Sequence, residues 1–448
     1  MTSNTIQKLY NNKAAAIIAG FIIAAVCLVS DPALNRVYWL YCTYRMQTAV
    51  IYMNYFVLAV VYVLFFAVIV FQKNRAKTGQ SFGALGPYIL IYLGYLTATL
   101  ANPETGSLEK WADSFFYSLI PLMIALFFFQ SKEGACYYIR VISTLYLVLA
   151  ALNIIYYFFP QLYFGEAKEW REPFFLGFDN KAGWPLMMGM FFVLVDWRVN
   201  GNRNKAIAYF LLLLVNIRIV WCITALLGTV ILIGWLFFPF IRRWAERWDF
   251  LVFLCIILIL FICLMFLQKY TVASELVALF IEEILHKKRT MSGRLPLWQL
   301  GVAIVMKKPW LGVGTQLHPG FIHMSDEYGV WSYYHAHNEL LQTWYEGGLL
   351  TVLLAVGMLV FTAGKLRKCS NKSLVGICKT MLFIFLFMLL SDNMPYYTWY
   401  MVAMLAHISI LSCSMFQNAG DEEEHDELLA EELNKWYNSL IHRIIRKT

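Results

Sequence analysis

The chain has 448 residues, of which 60% are hydrophobic and only 14% charged, with a mean hydropathy of +0.59. Average soluble chains carry about 25% charge, so a soluble enzyme is excluded. The net charge of +8 does not mark a nucleic-acid binder either, because many of the 36 Lys and Arg sit in short loops between apolar runs.

Aromatics at 17% suit a chain with many membrane-water interfaces. The nine cysteines fall mostly inside apolar runs and outline neither a disulfide framework nor a metal spacing. The N-terminus is read as a retained first span, since no cleavage site follows the apolar run from Ala14 to Ser30. Further spans are predicted over 49–72, 84–100, 114–130, 138–159, 183–197, 206–217, 219–240, 249–268, 340–364, 375–391 and 398–416. This is an all-α, polytopic integral membrane protein of about 12 transmembrane helices at about 20 residues per span. Residues 206–240 as one helix would reach about 52 Å, too long for a hydrocarbon core of about 30 Å, so a break is predicted near Asn216-Ile217-Arg218.

Basic residues mark alternate loops: Lys73, Arg75 and Lys77; Arg198, Arg203 and Lys205; Arg242, Arg243 and Arg247; Lys365, Arg367, Lys368 and Lys372. The positive-inside bias makes these loops and both termini cytoplasmic. Residues 1–416 form the transmembrane domain and 417–448 a charged cytoplasmic tail opening on Asp421-Glu422-Glu423-Glu424. Two segments on the other side, 160–182 and 269–339, are too long for simple connectors. The second has apolar residues at helical spacing over Val272 to Leu285 and Pro296 to Lys307, predicting short helices on or against the membrane.

Arg218 lies between apolar runs, where an ionisable side chain costs at least a few kcal/mol and implies a function. A guanidinium grips phosphate oxygens bidentately, so a lipid-linked phosphate is its natural ligand; the competing reading is a side chain snorkelling to headgroups. Arg294 opens a predicted amphipathic helix on the same side and could join Arg218 on a diphosphate, and Arg171 and Lys181 add cations there or serve as interfacial anchors. Gly312-Val313-Gly314 reads as a tight turn, because no strand precedes it and no helix opens on it as a phosphate loop would need. His335 and His337, two apart, cannot share a helical face, so a metal pair is the weaker reading, kept open by Asp326 and Glu327. A neutral histidine suits a general base for a sugar hydroxyl, the alternative being a hydrogen-bonding residue at a helix start closed by Asn338 and Glu339.

Ser292-Gly293-Arg294-x3-Trp298, Pro309-Trp310-Leu311-Gly312-Val313-Gly314 and Ala336-His337-Asn338-Glu339-Leu340-Leu341-Gln342-x3-Glu346-Gly347-Gly348-Leu349 together resemble the O-antigen ligase and polymerase superfamily of bacterial surface-glycan assembly. The likeness extends loosely to Arg171–Ala182 and Arg218, although Asp179-Asn180-Lys181 lacks the family proline and Ile217 replaces a small hydroxyl residue. The resemblance implies a metal-independent, inverting glycosyltransferase without cofactor, working at the outer face of the cytoplasmic membrane on an undecaprenyl-diphosphate-linked glycan. His337 would be the base, Arg218, Arg294 and Arg171 would hold the diphosphate, and Glu346 would orient the site, with His335, Asn338 and Lys181 supporting. The Ser-Gly-Arg-x3-Trp and Glu-Gly-Gly motifs lean toward a polymerase, with a chain-length regulator or flippase as candidate partners. The alternative is a ligase transferring to lipid A core. A transporter or flippase is the reading from another class, disfavoured because the long 269–339 segment has no counterpart in the first half.

Overall fold

The computed structural model describes residues 13–30, seven positions between 52 and 63, 85–159, 174–176, 179–266, 294–316, 322–326, 329–333, 335–392 and 398–416. Most of the expected second span, the Val272–Leu285 helix, Arg171 and the 417–448 tail lie outside these residues. The described helices are α1 (Lys13–Ser30), α2 (Gly86–Ala101), α3 (Leu108–Phe128), α4 (Lys132–Phe158), α5 (Asp179–Asn200), α6 (Arg203–Val220), α7 (Ile223–Phe237), α8 (Pro239–Arg247), α9 (Phe250–Phe266), α10 (Arg294–Val305), α11 (Glu339–Leu366), α12 (Lys372–Leu389) and α13 (Thr398–Met415). Helices α3, α4, α11 and α12 are long and apolar enough to cross a membrane, and the α7–α8 pair passes the same test only when its two helices, bent by 98°, are taken together. Helices α2 and α9 are apolar but shorter.

Short polar residues begin these helices where backbone N–H groups would otherwise be orphaned. Ser107 Oγ accepts from Lys110 N at 3.2 Å, Ser131 Oγ from Gly134 N at 3.1 Å and Asn371 Oδ1 from Leu374 N at 3.1 Å. The 206–240 run does break, but at Trp221-Cys222 and not at Asn216-Ile217-Arg218. Asn216 stays helical because its amide is satisfied across the bundle, accepting from Asn153 Nδ2 at 2.7 Å and donating to Ala150 O at 3.0 Å. Arg218 sits in the last turn, where a cation suits the helix dipole. Trp221 takes the left-handed conformation at φ 52° and ends the helix. Pro239 then stops α7 before the expected end at 240 and turns the chain by 98° into α8.

One end of the bundle collects the 102–107 turn, residues 174–176, Trp221-Cys222, α10, the 306–316 turns and Leu390 to Asp392. Leu176 N donates to Asn153 Oδ1 at 2.9 Å, Ser107 N to Thr315 O at 2.6 Å, and the Thr224 and Ser391 hydroxyls lie 3.3 Å apart. At the opposite end Lys205 reaches α4 and α5, while Lys379 Nζ donates to the carbonyls of Glu246 at 3.0 Å and Trp248 at 2.9 Å. The described basic loops, 198–205, 242–247 and 365–372, all share this second end. An antiparallel hairpin, β1 (Ile322–Asp326) and β2 (Gly329–Tyr333), adds to the helices expected in the 269–339 segment, with Ile322 opposite Tyr333 and Asp326 opposite Gly329. Its strands, Ile-His-Met-Ser-Asp and Gly-Val-Trp-Ser-Tyr, carry β-branched and aromatic residues that favour extended backbone.

The second end is fastened by Asp196, fully buried on α5. Its carboxylate accepts from Ser143 Oγ at 2.8 Å, Asn200 Nδ2 at 2.6 Å, Asn202 Nδ2 at 3.0 Å and Lys205 Nζ at 2.8 Å, tying α4, α5 and α6 together. Truncation would take the shared acceptor from all four donors and leave the Lys205 charge, still held by Ser143 and Thr144, without its counter-ion. Asp196→Ala is expected to cost about 3 kcal/mol, read as a lowered unfolding midpoint in detergent; an unchanged midpoint would contradict this role.

Candidate active site

Helix α11 is interrupted just after the acidic and amide residues of its first turns. Gly348, at φ 72° and ψ 178°, breaks the helix, and the 309–314 segment enters the gap. Val313 N donates to Tyr345 O and Gly314 N to Glu346 O, each at 2.9 Å, and Leu349 N donates to Pro309 O at 2.8 Å. Carbonyls and amides freed by the break are thus paired by another strand of chain. The Gly-Val-Gly motif is the expected tight turn, with Gly312 at φ 60° and Gly314 at φ 85°. Asn102 Nδ2 holds the carbonyl of Gly312 at 3.2 Å, and Thr99 Oγ1 accepts from Thr315 N at 3.0 Å, anchoring the turn on α2.

The next segment carries His337. Trp298 Nε1 donates to Ala336 O at 2.8 Å, while Gln342 Oε1 accepts from Ala336 N at 2.8 Å. Gln342 is itself fixed, donating through Nε2 to Glu346 Oε1 at 2.6 Å. On the other side Asn338 caps α11, its Oδ1 accepting from Leu341 N at 2.9 Å and its Nδ2 donating to Leu390 O at 2.8 Å. His337 is suspended between these clamps at φ 49°, a conformation uncommon for a side-chain-bearing residue. Strained backbone of this kind clusters at functional sites. Its Nδ1 faces Asp392 Oδ1 at 3.6 Å, the carboxylate being buried and the imidazole partly exposed. An imidazole oriented by a carboxylate at Nδ1 presents Nε2 for proton transfer.

Cations gather on the same spot. Arg294 Nη1 donates to Ser391 O, beside Asp392, which places the guanidinium near His337. His337, Lys181 and Arg294 all lie close enough to disfavour a charge on His335, whose ring centroid lies 4.1 Å from that of His337. Burial first, then these neighbours, hold the His335 imidazole down to about 3. His335 Nδ1 is buried with no hydrogen-bond partner among the described residues. The folded protein keeps His335 neutral where the unfolded chain would protonate near pH 6.5. Its contribution to stability is therefore complete above about pH 6.5 and lost as pH falls toward 3. His335→Gln is expected to flatten the fall of the melting temperature between about pH 6.5 and 4; an unaltered slope would refute it.

Arg218 does not contact this cluster among the described residues. Arg218 stands exposed at the end of α6, its guanidinium 5.3 Å from the Trp221 ring centroid, and Arg171 lies outside the described residues. Asn180 and Asp179 open α5, which brings Lys181 to the site.

A family model described as O-antigen ligase matches residues 206–356. Those residues are similar to the O-antigen ligase family. No curated protein matches the chain. The matched segment contains Arg218, Arg294, His335, His337, Asn338 and Glu346, together with the helix break and the turn that fills it. Lys181 and Asp392 lie outside it and are delivered to the same place by α5 and α12. Asp392 is the site residue that sequence reasoning missed. Its signal was present in outline: a carboxylate directly after an apolar helix, in a loop without Lys or Arg.

Proposed function

We propose that this protein transfers an undecaprenyl-diphosphate-linked glycan to a sugar hydroxyl at the outer face of the bacterial cytoplasmic membrane, through twelve spans with both termini cytoplasmic. The segregation of the basic loops from the His337 end supports that orientation. The observation that carries the reading is the pairing of His337 with buried Asp392, beside Arg294 and Lys181, within and next to an O-antigen ligase segment.

In this reading His337 Nε2 takes the proton of the acceptor hydroxyl as that oxygen attacks the anomeric carbon from the face opposite the diphosphate. The new carbon-oxygen bond forms, the bond from the anomeric carbon to phosphate breaks, and its electron pair leaves with the diphosphate, inverting the centre. Arg294 and Lys181 stabilise the charge that develops on the leaving group, with Arg218 and Arg171 gripping the lipid-linked phosphates as they arrive. Asp392 stabilises the imidazolium and holds the ring; it is a positioning residue. Asp392→Asn should lower turnover by roughly tenfold or more, less than the ~10²–10⁴ a general base contributes, with little change in donor KM. An effect confined to KM would contradict this role.

The Ser-Gly-Arg-x3-Trp and Glu-Gly-Gly motifs favour chain polymerisation, with a second lipid-linked repeat as acceptor. The family description favours the second reading, ligation to lipid A core. Purified protein given lipid-linked repeats alone separates the two: longer chains support polymerase, and product only after lipid A core is added supports ligase.

A further inference from the structure

Helix α8 is not used by the glycan site and lies at the opposite end of the bundle. Phe238 and Pro239 turn it 98° from α7, so a nine-residue helix runs across the end of an apolar one. At 100° per residue Ala245 and Ile241 fall on one side, and Ala245 is buried. Its C-terminal carbonyls, at Glu246 and Trp248, are held by Lys379 from α12. The other side presents Arg243 and Arg247 in one sector and Phe240 and Trp244 in the next, Phe240 being 69% and Trp244 43% exposed. Trp248 extends the aromatic sector, its ring 4.3 Å from that of Trp244. Among the described residues neither Arg243 nor Arg247 makes an ion pair; nearby Asp249 is taken by Arg367.

A cationic sector beside an aromatic one, on a helix lying at right angles to an apolar span, has the form of an interfacial helix. Exposed Phe237 and Phe238 continue the aromatic sector onto α7. The geometry points to α8 as a binding site for anionic phospholipid, in which Phe240, Trp244 and Trp248 enter the acyl boundary and Arg243 and Arg247 take the headgroup phosphates. Anionic lipid is favoured over zwitterionic lipid because unpaired guanidinium groups gain from net negative charge. This site depends only on the chain being embedded in a membrane, and its fate is separate from that of the glycan reaction.

The test titrates the detergent-solubilised full chain with phosphatidylglycerol and, separately, with phosphatidylcholine. Phosphatidylglycerol should bind more tightly, and each arginine removed should weaken it about fivefold, so Arg243→Gln with Arg247→Gln loses about 25-fold. Changing both to Lys should keep most of the preference, which separates lost charge from a misfolded helix. Lys368→Gln with Lys372→Gln, removing the same charge from the same end, should have a smaller effect. Quenching by lipid brominated near the headgroup should lose a component in Trp244→Phe. Equal affinity for the two lipids, equal losses in the arginine and lysine double variants, or no Trp244 component would each overturn the proposal. Binding that resists the arginine substitutions but rises when 417–448 are removed would assign the arginines to the acidic Asp421–Glu424 run and overturn it as well.

Discussion

His337→Ala is expected to abolish glycan transfer while leaving the amount of protein in the membrane unchanged. The backbone around His337 is fixed by groups other than its own ring: Trp298 and Gln342 hold Ala336, and Asn338 bridges Leu341 and Leu390. Removing the imidazole therefore leaves the loop in place and takes away the proton acceptor. A positioned general base contributes ~10²–10⁴ in rate, so at least a hundredfold loss should be seen with donor binding preserved. Alanine keeps a Cβ and therefore the same left-handed backbone at φ 49°, so the variant gains no stability from that position and its abundance rests on the clamps around it. Glycan ladders of normal length from a normally abundant variant would remove His337 from the chemistry.

The largest structural effect is expected from a single methyl group. A Cβ on Gly348 would stand 2.1 Å from Trp310 O and 2.3 Å from Trp310 C, backbone atoms that cannot swing aside. The φ of 72° with ψ of 178° lies in a region reserved for glycine. Strain of about 1–3 kcal/mol and overpacking of about 1–3 kcal/mol place the cost of Gly348→Ala at about 2–6 kcal/mol. The damage should also spread to catalysis, because the expelled 309–314 turn no longer pairs with Tyr345 and Glu346, and Glu346 orders Gln342. Gly357, nine residues beyond Gly348 in the same helix, has open space at its Cβ position, so Gly357→Ala should be neutral in the same thermal assay. Equal melting behaviour of the two variants would mean that the turn does not fill the helix break.

Much of this arrangement was legible in the sequence. Apolar runs located the helices, since a span must satisfy its own backbone in lipid. The Gly-Val-Gly turn, the helix over Arg294–Val305 and the cap at Asn338 follow from local residue chemistry. What stayed hidden depends on partners far along the chain. The break expected at Asn216 moved to Trp221 because Asn153, on another helix, satisfies the Asn216 amide. That the 309–314 turn enters α11 required knowing which orphaned carbonyls it would meet. Asp392 gains its meaning only when α12 ends against the start of α11, a neighbour relation no spacing rule records. The hairpin at 322–333 stayed hidden because its strands are five residues each, too short for an apolar alternation to mark them unambiguously.

In the proposed reaction His337, Asp392, Arg294 and Lys181 transfer a lipid-linked glycan by displacing its diphosphate. Its most direct test is undecaprenyl diphosphate released from a radiolabelled glycan donor by the purified, liposome-reconstituted protein, with both lipid-linked repeats and lipid A core present as acceptors. Stoichiometric release together with glycan joined to an acceptor, absent in His337→Ala, is the predicted result. Donor that remains intact with a folded wild-type protein, or is released equally by the variant, would contradict it.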